Sequence, residues 1–334
     1  MITIIMDGQF GSCGKGAFTH WLNNERNPAA VIRTGGSQAG HSMIHKGKVY
    51  KMRQIPCAWD RAFTLLIIPP TAIIDPKVLQ EEIAMVESLG YQLKGRLLID
   101  KHATIIEEKH KQIEKDLKKK IGSTGEGVGA ALADRIMRKA KLIKDYPIFK
   151  DYLVDDTTSA IHHELDDGLE VFIEATQGWG LSLYSSKFYP FCTSREISAS
   201  ALLADCGIPP NKYEVETLLL LRTFPIRVAG NSGPLKNEIK WEDLQIKPEI
   251  TTVTKKIRRI GLWDSELAER AIKINNPTSI VLTFFDYLRP DLAGKLTLDK
   301  KALHCIESMG KELKVPIRYV ATGFERVIDL GRRG

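Results

Sequence analysis

A glycine-rich turn, DGQFGSCGKG (7–16), follows the apolar run ITIIM and leads into a helix-like AFTHWLNN. Glycines let the main chain approach a phosphate closely, the N–H groups at a helix start favour an anion, and Lys15 adds a point charge. Phosphate binding is the chemistry such a turn performs. The common nucleoside-triphosphate loop, G-x-x-x-x-G-K-[ST], is excluded. Here Gly8 and Gly14 stand one residue further apart, and Gly16 rather than Ser or Thr follows Lys15.

Other polar residues sit just past apolar runs. His41 follows strand-like VIRT in IRTGGSQAGHS (32–42), Gln177 follows VFIEA in EATQGWGLSLY (174–184), and Asp286 follows IVLTFF. A lone loop histidine, threonine or arginine is ordinarily structural or solvated. Their recurrence at strand ends, where ligands bind in open α/β sheets, predicts one cleft fed from several loops. The elements that must position them are strand-like runs at 3–6, 97–99, 171–173, 217–221, 280–283 and 317–320, alternating with helical stretches. The expected fold is α/β, with a mostly parallel central sheet flanked by helices. Residues 105–121 read as one charged amphipathic helix, and GSTGEGVG (122–129) as a loop feeding a helix that carries Arg135 and Arg138. No repeat, low-complexity linker or boundary divides the chain, so a single large domain over residues 1–334 is expected.

The 334 residues are 43% apolar and 27% charged, enough for a substantial core. The longest apolar run, LLIIPPTAII (65–74), is broken by proline and too short to span a bilayer, and the amino terminus lacks a signal-peptide layout. A cytoplasmic protein with no membrane partner is expected. Five cysteines lie far apart without a CxxC pair, which argues against a zinc site and a disulfide framework. The net charge of +7 and the basic run KDLKKK (115–120) come without any nucleic-acid-binding signature. A positive field also suits phosphorylated and dicarboxylate substrates, so no nucleic-acid partner is expected and the lysines read as a solvated helix end.

The motifs in order, GSCGKG, IRTGGSQAGHS, KIGSTGEGVGAALADRIMRKA (120–140), EATQGWGLSLY, YPFCTS (189–194), LLLLRTFPIRVAG (218–230), TTVTKKIRRIGLWD (251–264), INNPTSIVLTFFDYL (274–288) and ATGFERVIDL (321–330), together resemble adenylosuccinate synthetases. The likeness covers essentially the whole chain. It implies the fold of that family, a homodimer, and formation of a C–N bond at purine C6. O6 is first phosphorylated, and the amine of L-aspartate then displaces the phosphate. By resemblance, Ser12, Lys15, His41 and Gln177 are the candidate catalytic residues, and Mg²⁺ is the cofactor, held by Ser12 and the carbonyl of Gly40. The monophosphate substrate is expected at Ser12, Gln38, Ala39, Thr124, Arg138, Gln177, Thr193, Val228 and Gly230, with Arg138 reaching across the dimer interface. The triphosphate is expected at Ser12, Cys13, Gly14, Lys15, Gly16, Gly40, His41, Ser42, Arg258, Phe284, Asp286 and Gly323. Aspartate is expected at Thr252, Val253, Thr254, Lys256 and Arg258, while Arg227 fits either the pocket or a salt bridge.

Several positions depart from the family pattern. The first loop normally reads GDEGKG, and Ser12 replaces the aspartate that serves as catalytic base and metal ligand. A serine hydroxyl has too high a pKa to take the purine N1 proton itself. A phage-encoded branch of the family carries this replacement and acts on dGMP in place of IMP, forming N6-succino-2-amino-2′-deoxyadenylate, the precursor of 2-aminoadenine in DNA. The chain resembles that branch, which implies dGMP, L-aspartate and ATP or dATP as substrates. Gln38 replaces an asparagine, Lys255 and Lys256 replace a Gly-Arg pair, Ile257 replaces an arginine, and TFFD replaces TKLD, with Asp286 kept and Phe284 in the lysine's place. An aromatic side chain stacks on any purine, which loosens the case for GTP. Two other readings stay open at this point: a conventional synthetase using IMP and GTP, and a nucleotide-binding homologue without catalysis.

Overall fold

The computed structural model describes residues 1–251 and 256–332. β1 (Ile2–Asp7) is buried along its whole length near the middle of a ten-stranded sheet. A strand covered on both faces needs apolar side chains on both, which is why ITIIM does not alternate with polar residues. From one edge the order is Val327–Asp329, Ile317–Ala321, Ser279–Thr283, Val215–Arg222, β1, Val171–Gly178, β2 (Ala30–Arg33), Leu65–Ile68, Leu97–Asp100 and Leu153–Val154. Neighbouring strands run parallel except the pair at the first edge. The sheet is therefore the mostly parallel one expected, and all six strand-like runs read from the sequence lie within it.

The core forms two layers, one on each face of the sheet. Ile2, Ile4, Met6, Leu219 and Leu221 pack into one, and Ile5, Leu218 and Leu220 into the other, as the two-residue period of a strand dictates. Because the strands are parallel, their carboxyl ends share one edge, and the loops that carry the polar motifs emerge there. α1 (Lys15–Arg26) starts at Gly14, whose φ of 84° no side chain caps. It packs on β3 (His41–His45), which pairs with β4 (Lys48–Met52) in an antiparallel hairpin. A Cβ on Gly16 would stand 2.7 Å from His41 Cβ and 2.9 Å from Ser42 O, so only glycine permits this approach.

The single helix expected over residues 105–121 does not form. A helix at Glu108–Ile113 gives way to a 3₁₀ turn at Glu114–Asp116 and then a short helix at Leu117–Ile121. The cause is Glu114. Its buried carboxylate accepts from the N–H groups of Gly127, Gly129 and Ala130 at 2.8, 2.6 and 3.1 Å, capping the start of the helix Val128–Ile136. That helix carries Arg135 but stops before Arg138, an exposed residue with φ of 61°. Lys115 and Lys118 to Lys120 are exposed, and the five cysteines are free thiols. Among the described residues no helix is long and apolar enough to cross a membrane.

Candidate active site

The turn after β1 is built around buried charge. Asp7 accepts from the N–H of Gln9 at 2.6 Å and lies 3.5 Å from Lys15 Nζ, which also donates to the carbonyl of Gln177 at 2.7 Å. The ammonium is thus fixed at the floor of the turn. Cys13 is buried there, and burial together with Asp7 pushes its thiol well up, so it stays protonated. Ser12 has φ of 58°. Its carbonyl accepts from Arg222 Nη1 at 2.9 Å, and its hydroxyl oxygen accepts from Arg258 Nη1. The Arg222 guanidinium stacks on Phe284 at 3.9 Å from the ring centroid. Phe284 has φ of 56°, unusual for a bulky residue, and its carbonyl accepts from Thr223 Oγ1 at 2.6 Å. A Cβ on Gly14 would sit 3.8 Å from the same ring, so the aromatic borders the turn.

A second network lies under His41. Glu174 and Arg33 face each other in register across adjacent parallel strands, with Arg33 Nη1 2.9 Å from Glu174 Oε1. Glu174 also accepts from Cys57 N–H at 2.8 Å and is hydrogen-bonded to His41 Nδ1. Burial and the nearby Arg33 guanidinium push the His41 pKa down to about 3. Burial alone would raise that of Glu174, but Arg33 and His41 outweigh it and hold it at about 2. The carboxylate can only accept, so Nδ1–H is the donor and the neutral ring presents Nε2 as an acceptor. Gln177, with φ of 65°, stands where the pairing of β1 with Val171–Gly178 slips between Ile5 and Asp7, and such irregularities re-aim side chains beside sites.

The remaining expected residues, or their neighbours, make the following contacts. Arg33 Nη2 donates to the carbonyl of Ala39 at 2.9 Å, and Gln38 Oε1 is buried without a hydrogen-bond partner among the described residues. Asn231 Nδ2 donates to Lys120 O at 2.9 Å, drawing the loop of Thr124 to the turn of Val228 and Gly230. Thr193 N–H donates to Leu181 O at 2.7 Å, and the neighbouring Ser194 packs on Gly129. Arg227 is buried against Phe10 at 3.7 Å and donates to the carbonyls of Ser232 and Phe191, and burial pushes its pKa down to about 9. Its contacts are to rings and carbonyls, and it makes no salt bridge among the described residues. Asp286 is partly buried, which raises its pKa, while Gly40 and Ser42 flank His41. Lys256 is exposed, Gly323 lies in the turn before Val327–Asp329, and Arg138 donates only to Ile136 O, on the outside of the protomer. Thr252, Val253 and Thr254 lie outside the described residues.

The candidate Mg²⁺ ligands are neutral oxygens, the Ser12 hydroxyl and the Gly40 carbonyl. That donor type fits a hard cation that keeps its substrate phosphates as further ligands. His41, Cys57 and Glu174 place ligand atoms within 4.8 Å of one another, but they are committed to each other. Burial pushes the Cys57 thiol well up, and the His41–Glu174 hydrogen bond uses the ring nitrogen, so this cluster is a support and not the Mg²⁺ site. Sequence reading missed Arg33, Glu174 and Arg222. The available signal was a charge inside an otherwise apolar strand, as in VIRT and VFIEA.

The adenylosuccinate synthetase family model matches residues 4–151 and 141–293. The chain belongs to the adenylosuccinate synthetase family. It is therefore a ligase that forms a C–N bond between aspartate and a purine nucleotide, in a family that is generally Mg²⁺-dependent. The adenylosuccinate synthetase of Pyrococcus horikoshii is 37% identical over 335 residues, covering 98% of this chain and 97% of that one. That of Methanocaldococcus jannaschii is 37% identical over 339 residues, covering 98% and 96%. Among solved structures, cyanophage S-2L succinoaminodeoxyadenylate synthetase (PurZ), bound to dGMP and to dATP as an energy donor, superposes with a TM-score of 0.83 at 26% identity, covering 98% of this chain and 95% of that one. Fully ligated adenylosuccinate synthetase from Plasmodium falciparum gives a TM-score of 0.86 at 20% identity, covering 98% and 99%, a likeness of fold.

Proposed function

We propose that this ligase joins L-aspartate to C6 of dGMP, hydrolysing ATP or dATP to the diphosphate and phosphate, and yields N6-succino-2-amino-2′-deoxyadenylate. The observation that carries the reading is Ser12. At the position where the family's loop has an aspartate, this chain has a hydroxyl whose oxygen accepts from Arg258. A hydroxyl so engaged leaves its own proton to donate, toward O6 or a phosphoryl oxygen, and takes less room beside the 2-amino group that distinguishes guanine from hypoxanthine. The cyanophage structure holding dGMP and dATP supports the same assignment. Phe284, offering a ring in place of a lysine, supports an adenine donor.

In this reading Lys15 and the backbone of the turn hold the polyphosphate, and His41, held by Glu174, takes up a proton at Nε2 when the anionic phosphoryl group binds and then donates to it. Magnesium at Ser12 and Gly40 would neutralise charge on the phosphate oxygens. Gln38, Ala39, Thr124, Gln177, Thr193, Val228 and Gly230 line the monophosphate. Arg138, outward-facing in one protomer, completes that site in a second copy, making the working form a homodimer. Thr252, Val253, Thr254, Lys256 and Arg258 receive aspartate, and the protein acts in the cytoplasm.

A second reading, the conventional reaction with IMP and GTP, is favoured by the archaeal relatives, which are more similar in sequence than the cyanophage enzyme. The test is Ser12→Asp. The proposal expects dGMP turnover to fall at least tenfold and IMP turnover to appear. If dGMP turnover rises and IMP remains inert, the spatial argument for Ser12 is wrong.

A further inference from the structure

Three side chains, from Arg222, Arg258 and Tyr287, meet at one carboxylate. Glu249 accepts from Arg222 Nη2 at 2.5 Å and from the Tyr287 hydroxyl at 3.0 Å, and lies 3.7 Å from Arg258 Nε. Each partner leads to the site: Arg222 to the Ser12 carbonyl and the face of Phe284, Arg258 to the Ser12 hydroxyl, and Tyr287 edge-on to Phe284 at 5.1 Å. Burial alone would raise the Glu249 pKa, but Arg222, Arg258 and the Tyr287 hydroxyl together outweigh it and the net shift is downward, so the group stays ionised.

Glu249 also stands close in sequence to the residues expected to receive aspartate, of which Lys256 and Arg258 are described. Arg258 N–H donates to Glu249 O at 2.9 Å, Ile250 bridges Ile257, Thr251 N–H donates to Lys256 O at 2.8 Å, and Lys256 N–H donates to Thr251 Oγ1 at 2.9 Å. Ile250 and Ile257 are 56% and 57% exposed, so apolar burial does little to seat these two strands. Trp241 Nε1 holds the Arg258 carbonyl at 2.7 Å on one side. Toward the phosphate turn Arg258 donates to the Ser12 hydroxyl oxygen, and Glu249 holds Arg258 and Arg222 together there.

We propose that Glu249 is the positioning residue that keeps the phosphate turn, the Phe284 ring and Arg258 in one register, and so couples binding of the purine triphosphate to binding of aspartate. The inference rests on reading this cleft as a triphosphate and aspartate site. Arg222 is fully buried, and its guanidinium has no other carboxylate within ion-pairing distance among the described residues. With the charge on Glu249 removed, Arg222 and Arg258 repel each other across the gap. Arg258 then loses its aim at Ser12 and its link to the ring. Two sites biased by one shared element are coupled reciprocally.

The experiment measures equilibrium binding of Mg²⁺-AMPPNP, with and without saturating L-aspartate, to the wild-type chain, Glu249→Gln and Glu249→Asp. In the wild type, aspartate should tighten AMPPNP about fivefold or more. Glu249→Gln should abolish that enhancement and weaken AMPPNP by about tenfold, while Glu249→Asp, which keeps the charge, should recover part of both. Wild-type affinity and enhancement in Glu249→Gln, or no enhancement in the wild type, would overturn the proposal. If Glu249→Gln does not fold, recovery by Glu249→Asp to the full wild-type values contradicts it equally, since a carboxylate one methylene shorter cannot hold the same register. A parallel arm with Mg²⁺-GMPPNP separates the two readings: binding of that analogue alone refutes the adenine donor and leaves the positioning role to be read from the same variants. No arm contains a purine monophosphate, so the dGMP assignment can fail without affecting this result.

Discussion

Replacing Glu174 with glutamine removes one charge from the network beneath His41 and should be costly in two separable ways. Arg33 is 2% exposed, and its guanidinium would lose the carboxylate that stands 2.9 Å away. Breaking a buried pair by removing one partner costs about 3–5 kcal/mol. With an unfolding entropy of about 2.1 cal/mol/K per residue, a chain of 334 residues has about 0.7 kcal/mol/K, so the apparent melting temperature should fall by about 4–7 °C. The second cost is catalytic. The amide can present its NH₂ group to Nδ1, which favours the other tautomer and misaligns the ring, so turnover should drop by about a hundredfold in a group acting on a phosphoryl transition state. Scanning calorimetry and a phosphate-release assay measure the two effects on one preparation. The double variant Glu174→Gln with Arg33→Met should regain part of the stability, because no charge is left unpaired, without regaining turnover. A single variant melting within about 1 °C of the wild type, or turning over within about twofold of it, would refute the reasoning about this buried pair.

Three further outcomes are expected. Arg138→Ala should leave the melting temperature unchanged, since the side chain is exposed, but raise the KM for the monophosphate at least tenfold; mixing it with an inactive Lys15→Ala chain should restore activity if two copies share a site, and no restoration would contradict the shared site. Phe284→Lys should raise GTP use relative to ATP in donor competition, and an unchanged ratio would remove Phe284 from donor choice. The third concerns pH. The folded-state pKa of His41 is about 3 against 6.5 unperturbed, and that of Glu174 about 2 against 4.5. Both are lowered, so the unfolded chain takes up protons first, and stability is lost as pH falls from about 6.5 through the His41 window and then the Glu174 window. Urea midpoints at pH 7.5 and pH 5 should therefore differ less in His41→Asn than in the wild type, and an equal difference would contradict this.

Leu65–Ile68, Leu153–Val154 and Val327–Asp329 were not read as strands, but the other seven strands of the central sheet were legible as short apolar runs. The break in residues 105–121 was not. Its cause is a long-range bond from Glu114 to amides around Gly127, and a periodic pattern carries no information about a carboxylate that turns inward to cap another helix. The phosphate turn and its lysine were legible from glycine spacing alone. The charges that hold the site were not, for a related reason. Arg33 and Glu174 become partners only because their strands are neighbours in register, and Glu249 only because Arg222, Arg258 and Tyr287 converge on it. Strand order and convergence are properties of the folded chain.

The most direct test of the central claim is product identity. Purified protein with Mg²⁺, L-aspartate and ATP or GTP would be offered dGMP, GMP and IMP separately, with phosphate release followed and the succinylated nucleotide identified by mass. The account predicts N6-succino-2-amino-2′-deoxyadenylate from dGMP and ATP. Adenylosuccinate from IMP and GTP alone would contradict it and establish the conventional reaction, and no product with any nucleotide would contradict catalysis altogether.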